Sequence, residues 1–236
     1  MDMGCLPAGA GPRMNRPTGV RRGWERKHHA PIGSETELIA ALDTWLPRDP
    51  HGDGTYRVHS LYFDTPDLAV HRRCPVHGQA KLRLRRYDEA PTVFLERKAK
   101  DADGWVDKVR TALPAAQLAR PNLPDPDDFP DIAWFADLLA AGGFEPKQRI
   151  ACHRIAWEGD IDGRRLRITL DTRIRADAPG AVLLPGPLPE GRPLTDRPLI
   201  EVKGDRDCPA TVDAMLARLG AVLVDFSKYR RSMESA

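Results

Sequence analysis

The stretch Lys81–Arg110 reads KLRLRRYDEAPTVFLERKAKDADGWVDKVR. It alternates as β-strands do, yet one of its alternating faces is built from Lys and Arg. Side chains at i, i+2 and i+4 of a strand share a face. Lys81, Arg83 and Arg85 therefore point one way, and Leu82 and Leu84 the other. In the next run Glu96, Lys98 and Lys100 share a face opposite Val93 and Leu95, and Lys108 and Arg110 share one after it. The connections YDEAPT and DADG are short and rich in Asp, Gly and Pro, which implies antiparallel hairpins. These residues include nine Lys or Arg and six Asp or Glu, whereas the whole 236-residue chain has a formal net charge of only +2. The charge is placed, not spread.

The pattern recurs along the chain. Arg165 and Arg167 oppose Leu166, Ile168 and Leu170, and Glu201 and Lys203 oppose Ile200 and Val202. Strands are expected at 24–30, 56–63, 80–87, 92–100, 105–110, 147–157, 164–174 and 198–203. Between them, SETELIAALDTWL has Ser34 placed as an N-cap and Glu37 completing a capping box. DIAWFADLLAAGG, residues 131–143, ends in a Gly pair suited to a C-cap, and CPATVDAMLARLG, residues 208–220, is a third helix stopped by Gly. The Pro-rich loops are too short to separate domains. One α+β domain is expected over 22–236, after a Gly/Pro/Arg-rich start, 1–21, that reads as a disordered tail.

A merely solvated face would mix signs and carry Ser, Thr and Gln, whereas these faces are mostly cationic. Cations opposite one another across strands repel and destabilise a sheet, so such a set needs an anion among it. If eight antiparallel strands close into a barrel, the apolar faces lie outward beneath the helices and the charged faces line the bore. That bore suits a chain of phosphates. Glu25, Glu96 and Glu201 each precede a Lys by two residues on the same face. Each either forms a local ion pair or holds Mg²⁺ or Mn²⁺, hard ions that favour carboxylate and phosphate oxygens.

Other classes are set aside. No apolar run approaches the roughly 18–20 residues of a transmembrane helix, and the start lacks the apolar middle of a secretory signal. Cys5, Cys74, Cys152 and Cys208 show no C-x-x-C pair, which argues against a disulfide framework or zinc knuckle and fits a cytoplasmic location. Aromatics are 6% of residues and do not interleave with the cations, so nucleic acid is not the expected partner. His28, His29, His71 and His77 lack metal spacing, and no Walker loop or G-x-G-x-x-G occurs, so any ATP must be held by side chains.

SLYFDTPDL, KLRLRRY, FLERKAK, GWVDKVR, LIEVKG and FSKYR, in that order, resemble the VTC domain. This is the polyphosphate polymerase branch of the triphosphate tunnel metalloenzymes, and the resemblance covers roughly residues 22–231. It implies an eight-stranded tunnel that moves the γ-phosphate of ATP onto a growing polyphosphate with a divalent metal, Mn²⁺ or Mg²⁺. By motif, Arg83, Arg85, Lys98 and Lys108 would spread the charge of the transferring group. Lys27, Arg154, Arg167, Lys203 and Lys228 would bind substrate, and Glu201, then Glu96, would hold metal. Arg154 and Lys228 rest on the resemblance alone.

Three departures stand out. Gly23 occupies the place where related CYTH triphosphatases carry the first Glu of E-x-E-x-K, which argues against a triphosphatase or cyclase of that type. Cys152 and His153 precede Arg154 where relatives tend to carry a Tyr, and Asp225 stands where relatives often have a second Lys. The first expectation is therefore an ATP-dependent polyphosphate polymerase. The alternatives are a triphosphatase acting in the same tunnel and a non-catalytic polyphosphate-binding module.

Overall fold

The computed structural model describes residues 21–74, 80–101, 103, 105–118, 123–179, 191–205 and 207–234. Apart from Arg21, the expected tail falls outside them, as do residues 120–122 of the first Pro-rich loop (120–130) and 183–190 of the second (183–198). In chain order the elements are β1 (Arg21–His29), α1 (Glu35–Trp45), β2 (Thr55–Asp64), β3 (Lys81–Tyr87), β4 (Thr92–Lys100), β5 (Val106–Pro114), α2 (Ala133–Gly142), β6 (Glu145–Ile161) and β7 (Arg164–Asp177). Then follow β8 (Arg192–Pro193), β9 (Leu199–Gly204), α3 (Ala210–Arg218), β10 (Val222–Leu223) and α4 (Lys228–Met233). All eight expected strands form, and β4 has the bounds read from its alternation. The two-residue β8 and β10 and the helix α4 were not expected.

Pairing runs β1-β5-β4-β3-β2-β6-β7, and β9 closes the ring by pairing with both β7 and β1. Every pairing is antiparallel, so these eight strands make a closed barrel with no free edge between them. The apolar faces turn outward, as alternation requires. Leu82, Leu84, Leu95 and Val109 pack under Trp134 and Phe135 of α2. Leu166, Ile168, Leu170, Ile200 and Val202 pack under Leu38 and Leu42 of α1 and Val212, Met215 and Leu216 of α3. Each such side chain contributes about 1.5–3 kcal/mol by leaving water, so the helices clamp the barrel from outside and fix its bore.

Glycine matters at two places. Gly143 ends α2 in the left-handed conformation, φ 62°, with its N–H on Ala140 O and that of Phe144 on Leu139 O, the C-cap expected of the Gly pair. Gly23 faces inward on β1, where an added Cβ would lie 2.7 Å from the backbone oxygen of Gly204. No side chain fits there.

Cys152 and Cys208 are free and Cys74 is disulfide-bonded, a single bond where the spacing argued only against a disulfide framework. Two expectations are corrected. Ser34 sits at the N-cap of α1, but its backbone is not extended and its hydroxyl donates to Pro31 O at 2.7 Å, so no capping box forms. The bore is not charged all round either. On β2 and β6, Tyr56, Val58, Tyr62, Ile150 and Cys152 turn to the inner side and pack with Tyr229 of α4. Tertiary packing of α4 against this wall overrides the simple rule of apolar out and charged in.

Candidate phosphate-binding bore

The hairpin register stacks the cations in rows. Lys81 lies opposite Lys98, which lies opposite Lys108; one row on, Arg83 lies opposite Glu96, which lies opposite Arg110. The first row repels, and carboxylates from neighbouring strands relieve it. Glu25 of β1 takes Lys98 Nζ at 2.7 and 2.9 Å.

Three knots of charge result. In the first, wholly buried Glu96 accepts Arg83 Nε at 2.7 Å, pairs with Lys108 Nζ at 2.6 Å and meets Arg110 Nε at 3.3 Å. Arg83 also donates to the Tyr62 hydroxyl at 3.0 Å. In the second, wholly buried Asp171 takes both forks of Arg154 at 2.6 Å, and Lys228 Nζ joins it while also reaching Glu201 at 3.2 Å. The third spans β1 and β9. Glu201 pairs with Lys203 at 2.6 Å and lies 3.9 Å from Lys27, which is 3.2 Å from Glu25.

Burial works against every one of these charges, and the partners outweigh it for the acids. Glu25, Glu96 and Glu201 sit well below the usual carboxylate range because lysines and arginines surround them. Asp171 is lowered to about 2 by Arg154 and Lys228, against the effect of its burial. For two lysines burial wins: Lys98 and Lys108 both fall to about 8, despite Glu25 and Glu96; against the same effect of burial, Asp171 and Glu201 hold Lys228 above its ordinary value.

Among the described residues, the inward cations Arg85 and Lys81 make no ion pair. Arg85 is 7% exposed and donates only to the Ser60 hydroxyl, at 3.1 Å. Lys81 donates to the Ser227 hydroxyl at 2.9 Å; burial, with Lys27, Arg230 and Lys98 nearby, holds it well below its ordinary pKa. Both are poised for an anion that the protein does not itself supply. At Lys81 the bore opens into a cavity of about 390 Å³, whose lining includes Lys27, Lys98, Lys100, Arg73 and Arg230.

The site residues read from the sequence thus gather in the bore, with one outlier. Arg167 lies apart, bonded to the Tyr56 hydroxyl at 2.7 Å and paired with Asp49 and Glu158. Beside it the rings of His51, Tyr56 and Tyr87 meet edge to face, and Tyr87 meets Phe94 in the same way. Asp171 was missed, although it shares a face with Arg167 four residues earlier. Tyr62 gave no signal, because an alternating aromatic reads as core.

Hard-ion chemistry needs oxygen donors. Among the described residues no three acidic, histidine or cysteine side chains form a metal-holding group. Glu25 and Glu201 share Lys27 and Lys203 as neighbours. One or two carboxylates plus substrate phosphates is the usual provision for Mg²⁺, so this pair fits a divalent ion that arrives with phosphate. Glu96 shares none of its partners with a second carboxylate: Arg83, Lys108 and Arg110 pair with it alone.

The fold agrees with what is found among known proteins. A candidate adenylate cyclase from Bacillus halodurans superposes with a TM-score of 0.59 at 16% identity, covering 92% of this chain and 100% of that one. A Pyrococcus horikoshii OT3 protein gives 0.52 at 16% identity, over 88% and 96% of the two chains. A candidate adenylyl cyclase from Hippeastrum, described as having a dominant triphosphatase activity, gives 0.51 at 16% identity, over 89% and 95%. No curated protein sequence matched. The VTC domain model matches residues 24–236, nearly the whole described barrel and its helices, and the chain belongs to the VTC domain family.

Proposed function

We propose that this protein is a phosphotransferase that extends polyphosphate with the γ-phosphate of ATP inside the bore. The observation that carries the reading is the pair of inward cations, buried Arg85 and half-buried Lys81, without carboxylate partners in a bore laced with ion pairs. A polyanion threaded past them supplies the missing charge. It also offers oxygens to Arg83, Lys98 and Lys108, which can exchange a carboxylate for a phosphate without moving far. Lys27, Arg154, Lys203 and Lys228 would hold the flanking phosphoryl groups, with Arg167 at the aromatic end.

In this reaction a terminal oxygen of the bound chain attacks the γ-phosphorus in line. The bond from the γ-phosphorus to the β–γ bridging oxygen breaks, and ADP leaves with the electron pair. The chain end is already ionised, so no side chain needs to remove a proton. Arg83, Arg85, Lys98 and Lys108 stabilise charge on the equatorial oxygens. Glu201 and Glu25 would hold Mg²⁺ or Mn²⁺, which would supply charge neutralisation on the phosphate oxygens.

Hydrolysis of triphosphate is the second reading, favoured by the placement of Glu25 beside Glu201 and by the likeness to the Hippeastrum fold. Against it stands Gly23, whose inward position is closed by Gly204. Incubation with ATP and Mn²⁺, followed by ³¹P NMR, separates the readings. Chain-interior phosphate resonances are expected. Free phosphate as the sole product assigns a hydrolase, and tight tripolyphosphate binding without turnover assigns a binding module.

A further inference from the structure

Beyond Tyr62, the motif YFDTPDL plays no part in the phosphate chemistry above, yet it contains a wholly buried carboxylate with no ion pair among the described residues. Asp64, the last residue of β2, accepts hydrogen bonds from three amides of the following turn: Thr65 N at 2.8 Å, Val70 N at 2.8 Å and His71 N at 2.9 Å. The Thr65 hydroxyl adds a long contact at 3.5 Å, and a short one comes from the far end of the chain: the Tyr229 hydroxyl, at 2.6 Å. A buried carboxylate costs stability unless such donors satisfy it. Tyr229 is 1% exposed and its ring stacks on Tyr62 at 5.3 Å. Burial, with Asp64 beside it, raises the phenol above its ordinary pKa, so the donated proton stays on the oxygen.

The residue before Tyr229 is Lys228, whose amine reaches into the bore to Asp171 and Glu201. Helix α4 has only six residues, about 9 Å of helix, so it has little framework of its own. We propose that Asp64 and Tyr229 form a latch that fixes α4 against β2 and thereby positions Lys228 in the bore. They are positioning residues, acting on phosphate through Lys228 without touching it. The functional half of this inference rests on the phosphate reading; the positional half does not.

Tyr229→Phe is the chosen variant because it keeps the ring stack and removes one donor. Asp64→Ala would strip three amides of their acceptor and unfold the turn. Two readouts are taken on the full chain: tripolyphosphate affinity by calorimetry, and acylation of Lys228 by an amine reagent, read by peptide mass spectrometry. Tyr229→Phe is expected to weaken tripolyphosphate binding about tenfold and to make Lys228 reactive where it was protected. Added to Lys228→Met, it is expected to weaken binding no further. Unchanged affinity, unchanged acylation, or losses that multiply in the double variant would each overturn the latch. If the unmodified protein fails to bind tripolyphosphate, the phosphate reading falls, and acylation of Lys228 alone then decides whether the latch exists.

Discussion

Arg85 offers a sharp test of the bore, because its removal should move stability and binding in opposite directions. It is 7% exposed, makes no ion pair among the described residues, and has a serine hydroxyl as its hydrogen-bond partner. An ion taken out of water without a counter-charge carries a penalty of several kcal/mol. Part of this is returned by Glu96, which feels Arg85 as an attractive charge, and part is lost again to Lys108, which feels it as a repulsive one. Arg85→Met keeps the methylene volume and removes the charge. The unfolding free energy should rise by about 1–3 kcal/mol, which for a chain of this size raises the melting temperature by about 2–4 °C per kcal/mol. Tripolyphosphate affinity should fall about tenfold to a hundredfold, the loss of a charge-assisted hydrogen bond worth about 1.5–3 kcal/mol. Thermal unfolding and calorimetry on the same two proteins measure both quantities. A variant that is less stable, or that binds tripolyphosphate as well as the parent, would show that Arg85 is already satisfied within the protein and refute the reasoning.

Lys98 and Lys108 titrate near 8 in the fold against about 10.4 unfolded. Tripolyphosphate affinity should therefore decline as pH rises through 8, and binding near pH 8 should take up protons, seen as a buffer-dependent enthalpy. For stability the sign reverses: between about 8 and 10.4 the unfolded chain holds more protons, so these lysines make stability rise with pH across that window. A pH-independent affinity from 6.5 to 9.5 would contradict both. Glu201→Gln should abolish ATP turnover in Mn²⁺ while leaving tripolyphosphate binding in place, and retained turnover would remove Glu201 from the metal site. Gly23→Ala puts a Cβ 2.7 Å from the Gly204 carbonyl oxygen and should cost about 1–3 kcal/mol, the usual penalty of overpacking; an unchanged melting temperature would mean that the β1–β9 pair can spread at no cost.

The barrel was legible because a period of two leaves little choice once one face must be buried. In KLRLRRY and TVFLERKAK the leucines and valine commit that face to the helices, and the cations follow by parity. Asp171 was readable by the same rule but was hidden by a search for cations. Three features were not readable. Val58, Ile150 and Cys152 face inward because α4 covers them, a contact between residues roughly 80–170 positions apart that no local pattern encodes. Ser34 has the side chain of a cap, but the chain enters α1 from Pro31 without the extended backbone that a cap needs. α4 itself is too short to show a helical period.

The lattice of ion pairs in the bore sets a threshold on what may enter. A lone orthophosphate can meet Arg85 or Lys81, but to gain more it must prise lysines from Glu25 or Glu201. A linear chain touches several knots at once, and its successive units share the same rearrangement. If the bore takes polyphosphate as proposed, discrimination by valence and length needs no ruler at the far end, because the resting pairs favour long anions over small ones.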